Sequence, residues 1–275
     1  TTRWENEAGE VVLLNDIDMS AVTEWTPIGG VDGSETNTTD VYKVVNPFKG
    51  KFNGQGFAIK NLTYNADMST GQYGYALFGS IDGATVKDLV LGDPDTEITW
   101  TFTGVAPKGT GVAALVAYAL NSTVENVTNY YNIDFAGDNA DSEICFAGGI
   151  AAVMKNSTLG GSSSRKGCVN NGFVRTGIIS NTQSGGSGMQ TGGICAFMAK
   201  DAGNQIVYCV NYGHVSSPTG RTGGIVGTMM NGNLKNCDNY GLIEDNLAGQ
   251  QGLNYGNKRM GGLVGGTDDL RTVLT

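Results

Sequence analysis

Gly223-Gly-Ile-Val-Gly227 followed by Asn236-Cys-Asp-Asn-Tyr-Gly241 decides the fold, because both pieces recur along the chain. The first returns as Gly261-Gly-Leu-Val-Gly265 and, working back, as Gly192-Gly-Ile-Cys-Ala196, Gly148-Gly-Ile-Ala-Ala152, Val112-Ala-Ala-Leu-Val-Ala117 and Tyr75-Ala-Leu-Phe-Gly79. Aligned on Leu77, Leu115, Ile150, Ile194, Ile225 and Leu263, these elements are 38, 35, 44, 31 and 38 residues apart. The second piece returns as Tyr208-Cys-Val-Asn-Tyr-Gly213 and Gly167-Cys-Val-Asn-Asn-Gly172, with Thr123-Val-Glu-Asn-Val127 and Thr85-Val-Lys-Asp-Leu89 in the corresponding place further back. In this register Val127, Cys168, Cys209 and Cys237 share one position, and Asn129, Asn170, Asn211 and Asn239 share the next but one.

A period of 31–44 residues marks a repeat architecture. Each repeat offers two short β-like runs between Gly, Asn, Ser and Asp turns, with little of the 3.6-residue periodicity of an amphipathic helix. Hairpin signals that a propeller blade needs are missing, as is the leucine-rich spacing. The expected fold is therefore all-β: a right-handed, single-stranded parallel β-helix with irregular coils. In such a solenoid equivalent residues stack at roughly 4.8 Å. Asn129, Asn170, Asn211 and Asn239 are then expected to pass amide hydrogen bonds from coil to coil, and Cys168, Cys209 and Cys237 to fill the interior as small hydrophobes. The Gly-Gly pairs are expected to supply turn dihedrals closed to other residues.

Residues 1–65 depart from the pattern and read as an N-terminal cap with the first coils, Trp25, Phe48, Phe52 and Phe57 being bulky enough to close an open stack. Residues 66–275 carry the repeats and are expected to break off in mid-coil. Gly is 43 of 275 residues, about twice the usual share, without a collagen period. A hydrophobic content of 40% against 16% charged residues provides enough apolar surface for a folded core. The net charge of −9 excludes a nucleic-acid partner held by clustered Lys and Arg, and no window is long and apolar enough to span a membrane as a helix.

The elements at 223–227 and 261–265, with the Asn-Cys-x-Asn-x-Gly run, resemble the GLUG repeat of bacterial cell-surface proteins. Asn15-Asp-Ile-Asp18, Trp25-Thr-Pro-Ile-Gly29 and Phe52-Asn-Gly-Gln-Gly-Phe-Ala-Ile-Lys-Asn-Leu62 resemble the segment that precedes such repeats. The resemblance implies a β-helix on the surface of a Bacteroidales-type bacterium, secreted or anchored to the outer membrane, and the repeat also occurs in N-terminal regions of IgA1 proteases. It implies no proteolysis here, since that activity belongs to a separate zinc domain with an H-E-x-x-H helix.

The chemistry in the chain points the same way. His214 is the single histidine, so neither a His-based zinc site nor a Ser or Cys triad assembles readily around it. The five cysteines lack a CxxC spacing, and Cys195 aligns with Val226 and Val264, which marks packing. No cofactor or metal is expected. Asp93-Pro-Asp-Thr-Glu97, Asp138-Asn-Ala-Asp141 and Asp268-Asp269 are the densest acidic runs and are placed in loops. Tyr130, Asn171, Tyr212 and Tyr240 share one outward register position that suits carbohydrate or protein contact, or a ladder that ties adjacent coils together. The expected function is a monomeric, non-catalytic surface module presenting loops near 30–45, 92–110, 134–146 and 176–190 to a host protein or glycan. The alternatives are a polysaccharide lyase or hydrolase on the same scaffold, and an accessory region of an IgA1-protease-like protein.

Overall fold

In the computed structural model, which describes residues 10–33, 43–139, 144–177, 188–200, 203–218, 220–244, 259–267 and 273–274, the aligned corner residues connect directly. The backbone N–H of Leu77 donates to the Ala114 carbonyl, that of Leu115 to Ile150, Ile150 to Ile194, Ile194 to Ile225, and Ile225 to Leu263. A chain whose equivalent residues bond coil to coil is a parallel β-helix. Apart from the hairpin Gly30–Asp32 with Lys43–Val45, every paired strand described is parallel. No α-helix occurs among the described residues, and only two single 3₁₀ turns interrupt the strands.

Each coil has four faces, where the sequence predicts two strands. The coil that begins at Thr85 runs along a long face (Thr85–Leu91), a second face (Thr99–Thr103), a third (Gly111–Ala113) and a fourth (Val116–Leu120). The next coil repeats the series at Thr123–Asn129, Asn132–Phe135, Cys145–Gly148 and Ala151–Lys155. The stretch 92–110 is consequently not one continuous loop: an exposed turn at 94–97 comes before a strand. It holds the second-face strand, with Trp100 and Phe102 fully buried because their alternation points both rings inward. Asp138 and Asn139 likewise form a short strand with Val105–Ala106. Asp134–Phe135 and Cys145–Phe146 are strand residues too, whereas 34–42, 140–143, 178–187 and Asp268-Asp269 lie outside the described residues.

The Gly-Gly pairs play a different part from the one expected. None of Gly148, Gly149, Gly192, Gly193, Gly223, Gly224, Gly261 and Gly262 has a positive φ. Space is what they provide. A β-carbon on Gly192 would stand 1.9 Å from the Cys195 carbonyl oxygen, and one on Gly193 would stand 2.2 Å from the Gly224 carbonyl and 2.4 Å from Cγ of Asn211. The same geometry recurs at Gly149 against Asn170 and at Gly224 against Asn239.

The long face closes the other side of that contact. Asn129 Nδ2 donates to Asn170 Oδ1, Asn170 to Asn211 and Asn211 to Asn239, each at 2.8 Å. The second proton of each amide goes to a carbonyl two residues on: Tyr131, Gly172 and Gly213 at 2.8 Å, and Gly241 at 2.9 Å. Beside the ladder Cys168 and Cys209 are fully buried and Cys237 is half-buried. Cys195 sits in register with Ala151 and Val226, and Cys145 with Met189.

At the N-terminal end the stack starts with Glu10–Val12 and Ile17–Asp18, paired to Lys51–Asn53 and Ala58–Lys60. The chain then crosses the end of the core, where Met19, Val22 and Trp25 lie against buried residues and the Trp25 indole N–H donates to the Ala76 carbonyl at 3.1 Å. Phe48 and Phe52 pack on Phe78 with ring centroids 5.3 and 5.8 Å away, and Phe57 is half-buried against the same core.

Candidate binding surface

Immediately after each ladder asparagine the chain turns from the long face onto the second face. The turn residue points outward because its predecessor is committed to the interior. Tyr130, Asn171, Tyr212 and Tyr240 occupy this corner, and their backbone N–H groups bond in sequence to Leu91, Asn129, Asn170 and Asn211 carbonyls. Tyr130 and Asn171 are half-buried; Tyr212 and Tyr240 are 54% and 67% exposed. The last two rings stack at 5.2 Å with planes 13° apart. Their facing surfaces cover each other, so what a ligand meets from the side is ring edges and hydroxyl groups.

Two further columns, unread in the sequence, run beside that corner. The second-face registers place Asp134 next to Arg175, Arg175 next to Ser216 and Ser216 next to Glu244. Arg175 grips Asp134 with two hydrogen bonds, Nε to Oδ1 at 3.1 Å and Nη2 to Oδ2, and its guanidinium lies 5.3 Å from the Phe173 ring centroid. Bonding to that carboxylate holds the arginine firmly in its charged form. One coil on, His214 Nε2 lies 3.0 Å from a Glu244 carboxylate oxygen, and Leu242 beside it is 63% exposed. Phe173, His214 and Leu242 each follow a ladder glycine, so they fall in one column between the tyrosines and the charged pairs.

The surface is thus a rigid strip of Tyr212, Tyr240, Leu242, His214, Phe173 and Arg175 with two acidic partners. Tyr and Arg on a fixed scaffold are the residue types that dominate binding hot spots. As an acid-base site it is poorly spaced. Asp134 and Glu244 are three strand steps apart, roughly 14 Å at parallel spacing, beyond the ~5–9.5 Å that paired carboxylates need for glycoside hydrolysis. Among the described residues no group of three or more His, Cys, Asp or Glu side chains is arranged to hold a metal ion. Of the acidic runs, Asp93 is tied to Lys60 at 2.9 Å, which also holds Asp16 at 3.0 Å. Burial pushes the Cys195 thiol up to about 12 and Cys209 well above its ordinary value, while hydrogen bonding to the Cys209 thiol lowers Cys168 and Cys237.

No family model matches the chain, and no curated protein matches it. Among solved structures, the chain is similar to the crystal structure of a putative immunoglobulin A1 protease from Bacteroides ovatus, with a TM-score of 0.60 and 18% sequence identity over 97% of this chain and 68% of that one. At that identity the likeness concerns the fold, and it extends over nearly the whole solenoid. No helix among the described residues is long and apolar enough to cross a membrane.

Proposed function

We propose that this protein is a non-catalytic, monomeric binding module of a bacterial cell surface, built from GLUG-type repeats, that holds a host protein or glycan on the strip formed by Tyr212, Tyr240, Leu242, His214 and Arg175. The observation that carries the reading is the exposure of two stacked tyrosines and a leucine at a corner of successive coils, beside the Arg175–Asp134 ion pair and the His214–Glu244 contact. The two tyrosine rings already restrain each other by stacking, so less freedom is lost on binding, and a mixed aromatic and charged rim favours a specific partner over general stickiness. The presented surface lies along the corner between the long and second faces of the coils, apart from the exposed turn at 94–97.

A second reading has its own support. The B. ovatus neighbour shares the fold across 97% of this chain, which favours an accessory solenoid of an IgA1-protease-like protein and makes immunoglobulin A1 the first partner to try. The test measures binding of the full chain to immobilised immunoglobulin A1, to mucin-type glycoproteins and to a glycan panel. The double variant Tyr212→Ala/Tyr240→Ala, exposed at both positions, serves as the control and is checked for an unchanged melting temperature. Saturable binding that falls at least about tenfold in the variant supports the proposal. Absence of binding to every arm, or equal binding by the variant, overturns it.

A further inference from the structure

The three cysteines that stack beside the asparagine ladder repeat one set of bonds. The backbone N–H of Cys168 donates to the Cys209 sulfur at 3.4 Å, and that of Cys209 to the Cys237 sulfur at 3.4 Å. The thiols of Cys168, Cys209 and Cys237 reach back to the Val124, Leu159 and Ile206 carbonyls at 3.6, 3.6 and 3.4 Å. Those carbonyls belong to residues in register, as are the valines that follow Cys168 and Cys209. The side chains therefore share one orientation, and each thiol is carried onto the next by the step between coils. Their sulfurs are separated by that step, roughly 4.8 Å, at which neighbouring thiols interact only through their hydrogens.

That spacing selects a chemistry. Directly bonded sulfurs lie about 2 Å apart, so a disulfide would have to pull two hydrogen-bonded coils together. An ion midway between two thiolates needs two metal–sulfur bonds of about 2.3 Å each, or about 4.6 Å in all, which the coil step already provides. Zinc would ask for four ligands, and among the described residues no group of three or more His, Cys, Asp or Glu side chains is arranged to hold a metal ion. Cu(I) is satisfied by two thiolates in a line, and soft sulfur ligands favour it.

We infer that Cys168 and Cys209 form a buried two-coordinate site for a soft monovalent ion of the Cu(I) class, held as a linear bis-thiolate that staples two adjacent coils from inside the lumen. Two thiols and one ion give the complex and release two protons. The Cys168 N–H aimed at the Cys209 sulfur offsets part of the negative charge that remains. Both residues are fully buried, so the ion enters while the coils are closing. The site lies within the stack and is independent of the lateral strip.

The experiment uses the full chain with Cys237→Val, which leaves a single sulfur pair; valine already holds this register at Val127. The chain is unfolded, refolded anaerobically with Cu(I) and desalted in the presence of a competing chelator. Bound copper is then measured by elemental analysis and X-ray absorption. The expected result is a single copper per chain, ligated by two sulfurs and by no nitrogen or oxygen, with a raised melting temperature. Adding either Cys168→Val or Cys209→Val should weaken copper retention at least about tenfold and abolish that rise, while the copper-free chains keep the circular dichroism of their parent. The inference is overturned if no copper survives the chelator, if either double variant retains as much as the parent, or if nitrogen or oxygen ligands appear.

Discussion

The first coils and the last ones fill the same lumen by different means. Around Thr85–Phe135 the interior is aromatic: Trp100 stacks on Tyr131 at 4.8 Å, Tyr64 meets Trp100 and Phe102 edge-on, and polar tips find backbone partners, Trp100 Nε1 at the Leu62 carbonyl and Tyr131 OH at the Ile59 carbonyl. From Gly148 onward the lumen holds stacked amides, thiols and paired glycines. The register makes the contrast direct, because Ile17, Ile59 and Leu91 stand where Asn129, Asn170, Asn211 and Asn239 follow. An apolar slot tolerates shape changes and loses transfer energy in proportion to volume. An amide ladder fixes register through directional bonds and demands glycine opposite, so its tolerance is far smaller.

That difference orders the expected effects of mutation. Gly193→Val should be the most damaging, destabilising the later coils by at least about 5 kcal/mol, since the new atoms would meet backbone carbonyl and ladder amide together. Loss of the cooperative unfolding transition, followed by circular dichroism against denaturant, is the check; a variant within about 1 kcal/mol of wild type breaks the contrast. Trp100→Ala should cost about 3–5 kcal/mol through transfer and cavity terms, with the loss centred on the early coils in hydrogen exchange. For Asn211→Leu, which strands an Asn170 donor and an Asn239 acceptor, the expected loss is about 2–3 kcal/mol in the same titration. The mirror change Leu91→Asn should gain nothing from extending the ladder, because a tyrosine-rich lumen surrounds it.

The smallest effect separates the regions by pH. Cys195 has a folded value near 12 because burial disfavours the thiolate, against an ordinary value near 9 when unfolded. The native state therefore retains a proton that the unfolded chain releases, so the stabilisation is complete below about pH 9 and is lost as pH rises toward 12. Cys195→Val, which copies Val226 and Val264 in the same register, should flatten that alkaline decline, measured as melting temperature between pH 8 and 10.5. An unchanged slope would remove the thiol from the account.

Much of this was legible because a solenoid copies its constraints. Leu77 through Leu263 and Asn129 through Asn239 recur at fixed places in their motifs, so strand stacking and register are legible in the sequence alone. The second face was hidden for the opposite reason. Trp100/Phe102, Ile133/Phe135 and Val174/Thr176 alternate inward over only two turns of the pleat, lie at varying distances from the motifs, and keep a common residue type only at Phe102 and Phe135. Their alternation was the available signal. The column Asp134, Arg175, Ser216, Glu244 gives no repeat at all, since unlike residues become neighbours only when coils are superposed.

By itself the sequence determined the parallel coil, the corner, and the alignment of ladder and thiols, because each is a local pattern repeated until stacking is the economical way to bury it. Only the tertiary structure decided why the glycines are glycines. Their φ values are ordinary, and the constraint comes from an asparagine 15–21 residues away and a carbonyl on the next coil. Tertiary placement also decided which outward residues share a surface, since contact across coils depends on superposed turns of unequal length, a quantity that no single repeat contains.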